Sequence, residues 1–125
     1  MRALHTDRAP AAIGPYSQAV EAGGFLFSAG QIGLIPGTPD FAGEDVESQA
    51  TQVFRNLAAI LEEAELTFGD VVKTTVYLTD MGEFPLVNAI YEKYFTKPYP
   101  ARSTVAAAGL PKGARVEIDV VAYRS

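Results

Sequence analysis

Val71-Val72-Lys73-Thr74-Thr75-Val76-Tyr77-Leu78-Thr79 is dense in β-branched and aromatic residues and lies between two stretches of helical period. Such residues suit a pleated, half-buried surface, so the run predicts a central strand. Alternation sets Val72, Val76 and Leu78 on one side and Val71, Thr75 and Tyr77 on the other. Upstream, Val46, Ala50, Val53, Leu57, Ile60, Leu61 and Ala64 recur as the apolar stripe of a helix running from Asp45 to about Glu65. Glu47, Gln52, Arg55, Glu62 and Glu63 fall largely off that stripe. Downstream, a second helix is predicted from about Glu83 to Phe95, with Pro85 tolerated in its first turn. Phe84, Val87, Tyr91 and Tyr94 define its buried side.

Further out, Tyr16 to Ala22 and Phe25 to Ala29 flank Gly23-Gly24, a pair that supplies the positive φ angles a tight hairpin needs. Residues 31–43 carry five Gly or Pro and predict the longest loop. Lys97-Pro98-Tyr99-Pro100 leads into a strand over Arg102–Ala108, Leu110-Pro111-Lys112-Gly113 is a turn, and the last strand runs from about Ala114 to Tyr123. The order β-β-β-α-β-α-β-β describes one α+β domain over residues 1–125, a mixed β-sheet with two helices. Right-handed crossovers place both helices on one face. In the last strand Val116, Ile118, Val120 and Ala122 face one way, and Glu117, Asp119, Val121 and Tyr123 the other. The sheet face without helices has mixed polarity and predicts a subunit interface, hence a homo-oligomer.

Composition removes several kinds of chemistry. There is no Cys and a single His among 125 residues. That excludes thiolate nucleophiles and disulfides, and no close-spaced acidic set compensates for a zinc site. His5 lies in a predicted edge strand and reads as a plain terminal histidine, so His-dependent triads fail as well. Catalysis is left to Arg, Asp/Glu, Tyr, Ser/Thr, backbone groups and water. The formal charge of −5, with scattered Lys and Arg, argues against a DNA-binding surface and disfavours RNA. No apolar run approaches a membrane span, and Met1-Arg2-Ala3-Leu4-His5-Thr6 lacks the apolar core of a signal peptide, so the expected location is cytoplasmic.

Arg102 follows two prolines and opens a strand of small residues. Its guanidinium fork can hold a carboxylate through two parallel hydrogen bonds, although a lone arginine is more often simply exposed. Glu117 alternates with apolar neighbours, which a polar strand face also explains. Sharing a cleft, the two would hold a substrate carboxylate and position a water, and a guanidinium beside Glu117 would favour its ionised form. Tyr16 leaves the constrained turn Ile13-Gly14-Pro15 as the start of a strand, where it presents its ring to a ligand or packs in the core. Ser28-Ala29-Gly30-Gln31 lets backbone approach a ligand closely, or is a plain strand exit. Asn88 interrupts the second helix near its apolar stripe, and the simplest expectation for it is a solvent-facing residue.

Six segments together resemble the RidA family, also called the YjgF or reactive-intermediate deaminase family. They are Ile13-Gly14-Pro15-Tyr16-Ser17-Gln18-Ala19, Phe27-Ser28-Ala29-Gly30-Gln31-Ile32-Gly33, residues 72–80, Asn88-Ala89-Ile90-Tyr91, Pro100-Ala101-Arg102-Ser103-Thr104 and Val116-Glu117-Ile118-Asp119. The resemblance implies a chorismate-mutase-like homotrimer with sites between subunits. It also implies hydrolytic deamination of 2-imino acids and their enamine tautomers, such as 2-iminopropanoate and 2-iminobutanoate, to 2-oxo acids and ammonia, without a cofactor or metal. It makes Arg102 the carboxylate clamp and Glu117 the residue that positions water, and sets Tyr16, Ser28, Gly30, Asn88 and Thr104 around the cleft. Many close relatives carry cysteine where this chain has Thr104. The alternatives to weigh are a non-catalytic small-carboxylate-binding or sensor module, an endoribonuclease or translation inhibitor, and a chaperone-like protein.

Overall fold

The computed structural model describes all 125 residues. Strands β1 (Arg2–Leu4), β2 (Ala19–Ala22), β3 (Phe25–Ser28), β4 (Val71–Leu78), β5 (Ala101–Ala106) and β6 (Val116–Tyr123) combine with helices α1 (Val46–Glu63) and α2 (Phe84–Tyr91) in the predicted order. They form one sheet, β1-β2-β3-β6-β4-β5. The pairing of β4 with β5 is parallel and every other pairing is antiparallel. β4 is therefore interior but only one strand from the edge, because the C-terminal β6 inserts between β3 and β4. The connections β3-α1-β4 and β4-α2-β5 both advance in the same direction across the sheet. Crossovers of one hand then put both helices on one face.

Gly23 and Gly24 have φ of 59° and 85°, and the turn they make sets Ala22 opposite Phe25. β2 begins only at Ala19, so Tyr16 precedes the strand rather than starting it. The buried Gln18 explains this: its side chain accepts the Thr6 N–H and donates to the carbonyls of Thr6, Ala9 and Pro10, tying down an irregular N-terminal segment. His5 is exposed, with Nε2 2.9 Å from Asp7.

β4 departs from simple alternation. A register shift between Val71 and Lys73 makes Val72 an extra residue, so Val71 joins Thr74, Val76 and Leu78 on the buried side and Val72 turns outward. The expected grouping of Val72 with Val76 and Leu78 is thus corrected by a β-bulge, which flips every residue before it to the other face.

α1 starts at the cap Asp45, whose carboxylate accepts the Ser48 N–H at 2.9 Å. Its expected stripe is fully buried, but so are Phe54, Gln49, Gln52 and Asn56. Phe54 stacks on Tyr94 at 4.5 Å between centroids and meets Tyr91 edge-on, which joins the two helices. Gln52 does not lie on a solvent face: it donates to Asn56, and Asn56 donates to the carbonyls of Ile32 and Leu34. α1 is buried on more than its apolar stripe because it packs on the sheet, on α2 and, through amides, on the 31–43 loop.

The opposite sheet face carries no helix. Phe25, Phe27, Val105 and Tyr123 stand exposed there, beside Lys73, Thr75, Tyr77, Glu117 and Asp119. No helix is long and apolar enough to cross a membrane.

Candidate active site

Where β3 ends, the ladder to β6 changes character. The Ser28 hydroxyl accepts the Val120 N–H at 2.9 Å, replacing a backbone partner. Three residues after Ser28, Gln31 exchanges backbone hydrogen bonds of 2.9 and 3.1 Å with Ile118. That antiparallel bridge sets Gly30 opposite Asp119. The side chain of Glu117 lies across Gly30 so closely that a Cβ there would sit 2.7 Å from Glu117 Cδ and 3.0 Å from Cγ. Gly30 does allow a close approach to backbone, and the group that approaches is the Glu117 carboxyl.

Glu117 and Gly30 form one wall of a cavity of about 370 Å³. Ile13, Ile32, Leu34 and Pro39 give it apolar sides, and the ring of the half-exposed Tyr16 lies at its edge. Lys112 also lines it, from a turn where this residue adopts φ of 56°. Sequence patterns missed Lys112, which looks like an ordinary turn residue, and the buried Gln18, which also borders the cavity.

Glu117 and Asp119 are half-buried carboxyls two residues apart on one face of β6. Burial, and then the charge of Asp119, hold the Glu117 carboxyl above the usual carboxylate range. Burial likewise raises Asp119, offset in part by the hydroxyls of Tyr77 and Thr75 and by Lys73. Tyr77, opposite Glu117 on β4, is raised by burial and by both carboxylates. Glu117 therefore favours its proton more than an exposed glutamate does. The guanidinium expected to stabilise its anion is not supplied by the Arg102 of the same chain, since no arginine of that chain lines this cavity.

Arg102 lies on the other face of the sheet. It pairs with Thr74, whose side chain is buried beneath α2, whereas Glu117 pairs with Tyr77. The odd spacing between Thr74 and Tyr77 puts the two partners, and so the two charges, on opposite faces. The guanidinium stands over the rings of Tyr91 and Phe84, 4.6 and 5.0 Å from their centroids, and Nη1 donates to Asn88 Oδ1 at 2.7 Å. Two rings and an amide thus fix its plane while its other donors stay free for an anion. Asn88 is engaged with Arg102 and, through Nδ2, with Glu92. A second hollow holds Arg102, Asn88, Tyr91 and Tyr99 at the sheet edge.

One chain therefore gathers Tyr16, Gly30 and Glu117 in one cavity, and Asn88 and Arg102 in another. Thr104, two residues along β5, shares the helix-side face with Arg102, while Ser28 and Thr104 line neither hollow. No group of three His, Asp or Glu side chains is arranged to hold a metal ion.

The sequence matches the family described as endoribonuclease L-PSP over residues 6–124. It is 55% identical over 124 residues to a RutC family protein of Synechocystis, covering 98% of this chain and 95% of that one. It is 47% identical to the 2-iminobutanoate/2-iminopropanoate deaminase of Salmonella typhimurium, with 98% of each chain covered. The crystal structure of RidA from an Antarctic Psychrobacter superposes with a TM-score of 0.94 at 44% identity, covering 98% of this chain and 99% of that one.

Proposed function

This chain belongs to the endoribonuclease L-PSP family, the family of the RidA and YjgF proteins, and from that premise we propose that it hydrolyses small 2-imino acids to 2-oxo acids and ammonia. The observation that carries the proposal is a carboxyl of raised proton affinity, Glu117, in a mostly apolar cavity. 2-Iminopropanoate and 2-iminobutanoate are the substrates of choice, being the chemistry in the name of the Salmonella relative.

The imine carbon becomes strongly electrophilic once its nitrogen is protonated, so no covalent nucleophile is required. Water adds to that carbon while Glu117 takes one of its protons. Glu117 returns that proton to the nitrogen of the resulting carbinolamine, then accepts the hydroxyl proton as the C–N bond breaks, C=O forms and ammonia leaves. Arg102 clamps the substrate carboxylate and so holds the reacting carbon in place. Tyr16 and Gly30 shape the cavity, while Ser28, Asn88 and Thr104 support the strands and the guanidinium around it.

Because Arg102 and Glu117 lie on opposite faces of one sheet, this chemistry requires two subunits. We take the assembly to be a homotrimer in which Arg102 of one subunit reaches the Glu117 cavity of a neighbour. The position of Arg102 on an exposed edge strand and the uncovered sheet face with its aromatic side chains support this arrangement.

The decisive experiment generates iminopropanoate with an amino-acid oxidase and follows its loss by semicarbazide trapping. Wild-type protein depletes the trapped imine, whereas Arg102→Ala and Glu117→Gln each lose most activity while remaining folded. Co-expressing the two inactive chains restores part of it, because mixed assemblies contain sites with both groups intact. A folded Arg102→Ala protein of full activity overturns the clamp, and failure of complementation overturns the shared site.

A further inference from the structure

Asp119 has no part in the chemistry above, yet it is the next residue along β6 on the sheet face that carries the proposed base. The two side chains project from the same face of β6 at positions i and i+2. Gly30, which the Gln31–Ile118 bridge sets opposite Asp119, leaves an open notch, and the Glu117 side chain lies in it. Cross-strand neighbours in an antiparallel pair have Cβ positions about 5 Å apart, so lying over Gly30 turns Glu117 toward Asp119 rather than away from it. We propose that Asp119 is a positioning residue of this site, which acts through its charge to decide when Glu117 holds its proton. This rests on the assignment of Glu117 as the base.

The groups facing Glu117 leave Asp119 as the dominant neighbour. From β4 the facing group is the Tyr77 hydroxyl, neutral at ordinary pH. The β3 side offers only Gly30. Tyr16 and Lys112 border the same cavity from the N-terminal segment and the 111–113 turn. Lys73 bears on Asp119, and its ammonium is engaged by the Ser103 hydroxyl at 2.9 Å. An Arg102 supplied by a neighbour would favour the Glu117 anion in the wild type and in the Asp119 variants alike, so the difference between them still reads Asp119. Burial is the first cause of the raised proton affinity of Glu117, and repulsion from Asp119, the one charged group among the causes, is the second.

A stronger base is useful here. A carboxylate that holds a proton more tightly removes one from water more readily, at the cost of being ionised over a narrower pH range. Replacing Asp119 by Asn should therefore have two opposed effects. The acid limb of the kcat/KM profile moves to lower pH, and the rate on the plateau above it falls. A purely structural role would lower the rate without moving the limb.

The test titrates the side-chain carboxyl carbon of Glu117 by NMR in the intact protein, assigned by its disappearance in Glu117→Gln. In Asp119→Asn, and in Asp119→Ser should the first variant fold poorly, the Glu117 midpoint moves to lower pH, together with the kinetic limb. A midpoint that stays in place overturns the proposal, even if Glu117→Gln is inactive and the assignment of the base stands. A Glu117→Gln protein of full activity removes the base itself, and that separate failure takes the proposed role of Asp119 with it.

Discussion

At Gly30 a single hydrogen atom decides where a carboxyl goes. Any side chain there meets Glu117 Cδ at 2.7 Å and must push it out of its notch. Gly30→Ala should leave the fold intact and lower kcat by up to about 100-fold, the scale that a misplacement of about 1 Å produces, with a smaller change in KM. Steady-state kinetics with trapped imine read this directly. Glu117 carries a second consequence. Its carboxyl holds a proton to higher pH in the folded chain than in the unfolded one, where the value lies near its ordinary ~4.3. From there up through the folded value the folded state binds more protons, so stability falls as pH rises. Glu117→Gln should accordingly melt higher than wild type at pH 7, with the gap closing as pH is lowered through that window. Calorimetry at several pH values checks the sign.

Among the elements, α1 shows how a helix can be buried beyond its apolar stripe. Asn56 is fully buried and donates to two carbonyls of the 31–43 segment, Ile32 at 3.2 Å and Leu34 at 3.0 Å. Replacing it with Ala strands both acceptors and the Gln52 amide, which should cost about 1–3 kcal/mol in urea denaturation. The same change loosens the segment that supplies Ile32 and Leu34 to the cavity. The periodicity of α1 was legible because Val46, Ala50, Val53 and Leu57 repeat at helical spacing. Burial of Gln49, Gln52 and Asn56 was not, because Asn56 holds backbone carbonyls more than twenty residues away, Gln52 is tied to Asn56, and Gln49 reaches Gly43 and Arg115. The bulge at Val72 was equally hidden, since it depends on how β4 meets β6 rather than on β4 itself.

For the whole molecule, the uncovered sheet face is the dominant fact. Phe25, Phe27 and Tyr123 form an exposed aromatic cluster, with Phe25 4.9 Å from Tyr123 and 6.1 Å from Phe27 between centroids. Burying such a surface against a second copy is favourable, whereas charging it leaves carboxylates without water or partners. Phe27→Glu should yield a folded monomer by light scattering, with normal far-ultraviolet circular dichroism and no deaminase activity. A folded, active monomer would refute the need for a shared site.

The order of elements, the hairpin glycines, the apolar stripe of α1 and the two faces of β6 followed from sequence because each is a local periodicity of backbone geometry. The candidates Arg102, Glu117, Tyr16 and Gly30 were also legible, as motifs in a fixed order along the chain. Their distribution into two hollows was not. Which face a side chain occupies depends on strand register, and Arg102 meets Thr74 while Glu117 meets Tyr77 only after β4, β5 and β6, far apart in sequence, have paired. Tertiary structure alone separated the two charges within one chain, because hydrogen-bond register across distant strands is a property of the assembled sheet and not of any segment in it.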